Sequence, residues 1–302
     1  MRKFIKHLYH KTTLGKRFLN PIKKLNDYLS PRILPEKTYI KRTFKATFGF
    51  NLNLNNPKTF SEKILWLQQN ERTPLHTLCT DKFAVRNYIK EKIGDQHLIP
   101  LVLDTVKPTD LIPSNLPKYP IIIKTNHGCG RHIIITDKSI IDWHMVQRHF
   151  KRLLKRNYYY KAKEWQYKDI EPRIIVEKLL LDKNSNIPND FKFECFNSKV
   201  ACIYVIMDRF QREKIKVYDP DWKSIKCLSY IPEGRDVKKP PMLNVMKKLA
   251  ETISQDFKYV RVDLYCLNGK IYFGEMTFSP AAGFDKYNPE WDRIIGDELK
   301  LY

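Results

Sequence analysis

Residues 260–284 read VRVDLYCLNGKIYFGEMTFSPAAGF. Apolar and aromatic residues fill two arms around Asn268-Gly269, the signature of a β-hairpin, and a small-residue loop follows. Three charges sit inside these strand-like runs: Arg261, Asp263 and Glu275. A charge in a mostly apolar strand is costly unless it is paired or holds a ligand.

The turn type decides whether those charges meet. A two-residue Asn268-Gly269 turn pairs Leu267 with Lys270 and Asp263 with Gly274. That sends Glu275 to the face of Val260 and Val262. A three-residue loop over 267–269, with Gly269 left-handed, pairs Cys266 with Lys270. Arg261 and Glu275 then oppose each other, with Asp263 beside them. This second register sorts the faces better. Val260, Val262, Leu264, Cys266, Tyr272, Met276 and Phe278 become the apolar side, and Arg261, Asp263, Glu275 and Thr277 the polar one. We therefore expect the three-residue loop, because it keeps Glu275 out of a layer of valines. Two carboxylates and an arginine on one face form either a solvated ion pair or a hard-cation site. Mg²⁺ takes oxygen ligands, commonly one or two carboxylates plus nucleotide phosphates.

The 302 residues suffice for two compact units, and lysine plus arginine exceed aspartate plus glutamate by 22. That balance favours polyanionic company: nucleotides, nucleic acid, an anionic membrane surface or acidic polysaccharide. The six cysteines form no C-x-x-C pair, so neither a zinc site nor a disulfide framework is indicated, and a reducing, cytoplasmic home fits. No apolar run is long enough for a membrane-spanning helix, and no signal-peptide core follows the basic start.

Residues 1–56 form a basic N-terminal segment. Up to Phe50 it carries thirteen lysines or arginines against Asp27 and Glu36. Its interleaved basic and apolar residues fit either an interfacial helix on anionic lipid or a solvated helix packed on the body. Pro21, Pro31 and Pro35 are expected to break it into short pieces. Thr59 and Glu62 have capping-box spacing ahead of a helix. Thr80 is expected to cap a second helix that ends at Gly94, with Lys82 in its first turn. There Lys82 is either a tolerated surface lysine or a phosphate ligand.

A strand is expected over 97–103, and then YPIIIKTNHGCGRHIIIT (119–136) reads as strand, glycine loop, strand. No Walker P-loop is present, but a Gly128-Cys129-Gly130 hairpin can fold its N–H groups over phosphates. Lys124 is a charge in a buried strand and calls for an anion. A basic helix from Asp142 to about Asn157 follows. Its arginines and lysines match no named nucleic-acid module, and no nucleic-acid partner is expected. PRIIVEKLLLD (172–182) is a buried strand, and DFKFECFNSKVACIYVIM (190–207) a hairpin turning at Asn197-Ser198, with Asp190 and Lys192 on one face.

These parts, in this order, resemble the ATP-grasp superfamily, and more closely its TupA-like branch, linked to cell-surface polysaccharide assembly. The resemblance covers residues 45–300 and rests on NPKTFSEKILWL, DKFAVRNYI, KTNHGCG, EWQYKDIEPRIIVEK, DFKFECFN and RVDLYCLNGKIYFGEMTFSP as an ordered set. It implies an α+β ATP-grasp fold in which two α+β subdomains with antiparallel sheets grip ATP between them. The catalytic region would span 57–302, with a nucleotide-loop subdomain at about 105–175 and a metal-site subdomain at about 176–302.

The resemblance also implies roles. Lys82 and Lys124 would hold ATP phosphates, under a loop that includes His127, Gly128 and Gly130. Glu177, Lys178 and the Leu179 backbone would meet adenine, Asp190 the ribose, and Lys192 a further phosphate. Asp263 and Glu275 would bind Mg²⁺, with Thr277 a weaker ligand where the superfamily usually has asparagine. Arg261 would face the transferred phosphate or the acyl substrate. The implied reaction activates a carboxylate as an acyl phosphate and joins it to an amine, with a carboxylate or glycan as substrate. A hydroxyl acceptor would make the site a kinase. The rival readings are a glycosyltransferase using Asp219-Pro220-Asp221, and a basic membrane- or nucleic-acid-binding module.

Overall fold

The computed structural model describes residues 13–209, 213–226 and 233–302. Part of the basic segment, residues 1–12, lies outside the described residues. In chain order the helices are α1 (Thr13–Ile33), α2 (Glu36–Phe48), α3 (Phe60–Asn70), α4 (Pro74–Thr80), α5 (Val85–Ile93), α6 (Trp143–Leu154), α7 (Tyr159–Ala162), α8 (Leu243–Ile253) and α9 (Pro289–Glu298). The strands are β1 (Leu101–Thr105), β2 (Ile121–Thr125), β3 (Ile133–Ile135), β4 (Ile174–Lys178), β5 (Asp190–Phe196), β6 (Lys199–Met207), β7 (Lys214–Tyr218), β8 (Ser224–Ile225), β9 (Tyr259–Leu267) and β10 (Lys270–Thr277).

The strands form two antiparallel sheets. The first runs β1-β4-β2-β3 and the second β10-β9-β5-β6-β7-β8. Side chains alternate faces along each strand. In the first sheet Ile121, Ile123, Ile174 and Val176 pack on Val146, Phe150 and Leu153 of α6. Lys124 is registered opposite Ile175, and Ile122 opposite Glu177, on the other face. In the second sheet Phe191, Phe193, Val260, Val262 and Leu264 pack on Leu243, Met246, Ala250 and Ile253 of α8. Each large side chain so buried contributes about 1.5–3 kcal/mol. Part of the opposite face is covered by α3 and α9, through Phe60, Ile64 and Ile295. The remainder carries the charges.

Several local expectations change. Helix α1 continues through Pro21 and Pro31, and among the three prolines only Pro35 separates helices, standing just before α2. Near the end of α1 the Arg32 guanidinium donates to the Tyr28 carbonyl at 2.6 Å, a side-chain bond to a helix carbonyl. The expected capping box is present, with Thr59 and Glu62 bonded reciprocally. Thr80 does not cap α5, because it is the last residue of α4. Asp81 instead caps the turn over 82–84 that leads into α5, its carboxylate accepting the N–H groups of Phe83 and Ala84. Lys82 therefore lies in the turn before α5 rather than in its first turn. The strand expected over 97–103 starts later, at Leu101, after a short 3₁₀ turn at Asp95–His97.

Candidate nucleotide and metal site

The hairpin that carries the charges has a two-residue turn, not the three-residue loop. Leu267 pairs with Lys270, and Asn268 and Gly269 both have positive φ, 51° and 73°. The ladder then breaks between Phe273 and Glu275, leaving Gly274 as a β-bulge. One extra residue shifts the register by one. Glu275 comes to face Asp263, and Thr277 faces Arg261. The polar grouping that the longer loop was to produce is made by the bulge instead, and Arg261 opposes Thr277 rather than Glu275.

Strand β5 extends this polar face, with Lys192 opposite Asp263 and Glu194 opposite Arg261. Arg261 donates to Asp263 through Nε at 2.8 Å and Nη2 at 3.0 Å. The same Nη2 donates to Thr277 Oγ1 at 3.0 Å and stands 3.7 Å from Glu275 Oε1. Both carboxylates thus approach one point to within 4 Å. Lys192 bridges Asp263 and Asp190, at 2.8 Å to the latter. Burial pushes Asp263 up, while Arg261 and Lys192 pull it down, and the net direction is up. Burial acts likewise on Glu275, but Lys82, Lys192, Arg261 and Arg209 together outweigh it and hold its carboxyl far below the usual range.

The first sheet supplies the opposing wall. Lys124 Nζ lies 2.7 Å from Glu177 Oε2, and Arg86 holds the other oxygen at 3.2 Å. The glycine loop is tied to the turn before α5. The Lys82 N–H donates to the Asn126 carbonyl at 3.2 Å, and the Asn126 amide donates to Asp81. Lys82 Nζ then reaches the Gly128 carbonyl at 3.0 Å and stands 3.5 Å from Glu275. One lysine therefore joins the loop to the carboxylate pair on the other sheet.

A cleft of about 900 Å³, including space open to solvent, lies among these groups. Lys82, Lys124, Gly128, Gly130, Glu177, Lys178, Leu179, Asp263 and Glu275 all line it, nine of the fourteen residues singled out from the sequence. Its apolar lining includes Ile99, Ile122 and Leu180. Convergent polar groups beside an apolar wall are the character of a small-molecule site.

The other five stand elsewhere. His127 is buried behind the loop, its Nε2 directed at the Leu153 and Arg156 carbonyls and its Nδ1 at Asn126. It anchors the loop to the end of α6 and does not face the cleft. Burial lowers its pKa despite those carbonyls, so it is not a standing cation for phosphate. Asp190, held by Lys192 and Arg209, lines a neighbouring cleft rather than this one, as do Lys192 and Arg261. That placement does not suit Asp190 to a ribose in the first cleft. Thr277 lies behind Arg261, accepting its hydrogen bond. The Leu179 N–H is donated to the Pro120 carbonyl at 3.0 Å, so that amide is not free for adenine. Asp219, from the Asp-x-Asp match, uses its carboxylate on its own turn, accepting the N–H groups of Asp221 and Lys223.

Sequence reasoning missed Arg209, Arg86, Asn126, Tyr265 and Glu194. Glu194 was legible in principle, two residues past Lys192 on the same alternation. Arg209, just beyond β6, gives no local signal, since only the fold brings it to Asp190 and Tyr265.

Among the described residues no group of three or more His, Cys, Asp or Glu is placed to hold a metal ion. Two opposed carboxylates are nevertheless the complement Mg²⁺ takes when phosphates fill its other positions. The donor set therefore fits Mg²⁺ together with a nucleotide.

Several solved structures are similar. A D-alanine–D-alanine ligase from Bacillus anthracis complexed with ATP shows 16% identity, covering 67% of this chain and 54% of that one, with TM-score 0.39. The ATP-grasp ligase PsnB complexed with minimal precursor shows 11%, 79%, 67% and 0.44 in the same order. An L-amino acid ligase from Bacillus licheniformis shows 14%, 84%, 57% and 0.43. The chain thus spans about half to two thirds of their length. No curated protein matches it. The family model described as TupA-like ATPgrasp matches residues 62–300, so the chain belongs to that family and its fold is the ATP-grasp fold.

Proposed function

We propose that the chain is an ATP- and Mg²⁺-dependent ligase that activates a carboxylate as an acyl phosphate and joins it to an amine, acting in cell-surface polysaccharide assembly. The observation that carries this reading is the cleft itself. Two lysines, a glycine loop, a Glu-Lys-Leu-Leu segment and two opposed carboxylates converge there from both sheets. Glu177, Lys178 and the segment to Leu180 suit adenine, with Leu180 replacing Leu179 as amide donor. Lys82, Lys124 and the 128–130 loop suit the phosphates. Mg²⁺ held by Asp263 and Glu275 would neutralise charge on the transferring phosphoryl group.

The site's cations are held by carboxylates: Lys124 by Glu177, Lys82 by Glu275, Lys192 and Arg261 by Asp263. Phosphate must draw Lys82 and Lys124 away from these partners. Arg261, on the far side of the carboxylate pair, is then set to face the acyl group. The polysaccharide setting rests on the family and on the +22 charge, which suits acidic glycans and an anionic membrane face. Among the described residues no helix is long and apolar enough to cross a membrane.

The test is ADP release from MgATP against a panel of amino acids and uronic-acid sugars, singly and in pairs. Release that needs both a carboxylate and an amine supports the ligase. Release with a sugar hydroxyl alone, leaving a phosphorylated sugar, replaces it with a kinase.

A further inference from the structure

Beyond the carboxylate pair the site opens into a second cleft. It shares Cys129, Arg209 and Glu275 with the first, and Asp190, Lys192, Glu194 and Arg261 also line it. Its charges are mixed, with cations and carboxylates in close alternation across β5 and β9. Glu194 stands out among them. It is only 2% exposed, yet among the described residues no ion pair holds it. The Arg261 guanidinium opposite it is turned to Asp263. The Tyr259 hydroxyl donates to Glu194 Oε2 at 2.6 Å. Asp190, also in the cleft wall, has one buried carboxylate oxygen, Oδ1, without a hydrogen-bond partner among the described residues. Asp190 is already paired with Lys192 and Arg209, but Glu194 is buried without an ion pair among the described residues, which is costly, and a cationic or proton-giving ligand would relieve it.

We propose that this second cleft takes the amine acceptor and that Glu194 is the general base that removes its proton; the inference rests on the ligase reading above. The acceptor enters as an ammonium, drawn by Glu194. One ammonium proton passes to the Glu194 carboxylate, which frees the nitrogen lone pair. That pair attacks the acyl phosphate carbonyl, the C–N bond forms, and the C–O bond to phosphate breaks with its electron pair leaving on phosphate. The second proton lost from nitrogen leaves with phosphate or water. Burial raises the Glu194 pKa to about 7, against the pull of Arg261 and the Tyr259 hydrogen bond and with a push from Asp263 and Asp285. A base poised there can both take and release a proton at neutral pH.

Hydroxylamine separates this role from the rest of the reaction, because its nitrogen is already unprotonated at neutral pH and needs no base. Wild type and Glu194→Gln are given MgATP and a mixture of common amino acids and D-glucuronate as carboxylates. The nucleophile is either hydroxylamine or the amino acids' own amines, and mass spectrometry reads hydroxamate and amide. The expected result is near-normal hydroxamate and amide reduced by about 100-fold or more, the usual scale of general-base catalysis, recovering as pH rises and amines deprotonate unaided. Equal loss of both products, or amide at the wild-type rate, overturns the role of Glu194. Wild type that forms neither product overturns the ligase reading and this inference with it. Tyr259→Phe is the second variant. It removes a hydrogen bond that lowers the Glu194 pKa, so the acidic limb of amide formation should move to higher pH while the hydroxamate profile stays. An unmoved limb counts against the proposal.

Discussion

Glu275 faces Asp263 across the β9–β10 ladder because Gly274 is an extra residue in that ladder. Without it the two-residue turn would oppose Gly274 to Asp263 and direct Glu275 into the apolar layer. The bulge also needs a glycine. A Cβ at position 274 would lie 3.0 Å from the Tyr265 ring and 3.1 Å from the Asp263 carbonyl. Gly274→Val should therefore cost about 1–3 kcal/mol in stability, the scale of overpacking, and should impair Mg²⁺-dependent turnover. Urea denaturation and ATPase assays at several Mg²⁺ concentrations check both. A fully stable variant with an unchanged Mg²⁺ requirement would show that the bulge does not set the carboxylates.

The two carboxylates should differ when neutralised. Asp263 is buried and holds Arg261 and Lys192 at once. Asp263→Asn leaves two cations without their main partner, so it should cost about 3 kcal/mol in folding as well as abolish turnover. Glu275 is half-buried and its contacts to Lys82 and Arg261 are 3.5 and 3.7 Å. Glu275→Gln should lose turnover and also cost stability, because surrounding cations favour its charged form, but less than Asp263→Asn since its contacts are longer and more exposed. Chemical denaturation of both variants beside turnover decides the matter. Equal stability losses would contradict the geometry.

Lys124 lies in the first cleft with Glu177 as its partner. Lys124→Ala removes a charged donor to phosphate, and Arg86 still covers Glu177. MgATP binding should weaken by about 1.5–3 kcal/mol, the scale of a hydrogen bond to a charged group. Calorimetry with a non-hydrolysable ATP analogue measures it, and unchanged affinity removes Lys124 from the phosphate site.

What the sequence disclosed follows physical lines. Period-two alternation marked Lys124, Asp190 with Lys192, and Arg261 with Asp263, because a charge among isoleucines or valines is visible locally. Asn197-Ser198 and Asn268-Gly269 marked their turns, and Thr59-x-x-Glu62 its cap. The bulge at Gly274 was not legible, since a bulge depends on how two strands pair and not on either one alone. Nor was the inward turn of His127, which looks like a loop residue until the last turn of α6 and the segment just after it supply two carbonyls for it. Asp190 and Lys192 were correctly put on one face. Which cleft that face lines is set by the neighbouring strand and by Arg209, distant in sequence.

The basic N-terminal segment should give the chain affinity for anionic membrane. On α1 the side chains of Leu25 and Ile33 are exposed beside exposed Lys24 and Arg32, an apolar and basic mixture that suits a lipid interface. Each lysine or arginine at an anionic surface adds about 1 kcal/mol. Co-sedimentation with vesicles containing phosphatidylserine should show binding by the full chain, loss on raising salt, and much weaker binding after removal of residues 1–30. Equal sedimentation of both forms, or indifference to the anionic lipid, would rule the membrane role out.

Burial sets one pH effect apart from the active site. Glu164 is buried, accepts the Ser279 hydroxyl at 2.7 Å, and Ser279 in turn accepts from Gln166 at 2.8 Å. Burial raises its pKa to about 7, against smaller downward pulls from the Ser279 hydrogen bond, Lys161 and Lys82. A carboxyl raised on folding binds its proton more tightly in the native state than in the unfolded chain. Its favourable contribution is complete below the unfolded pKa, near 4.3, and is lost as pH rises through the folded value of about 7. The loss is on the order of 3 kcal/mol for a shift of this size. Glu164→Gln keeps the shape and cannot ionise, so its stability should fall less than that of wild type between pH 4.5 and 7.5. Urea midpoints taken across that range make the comparison. Parallel curves for the two proteins would mean that Glu164 ionises in the fold as readily as in the unfolded chain.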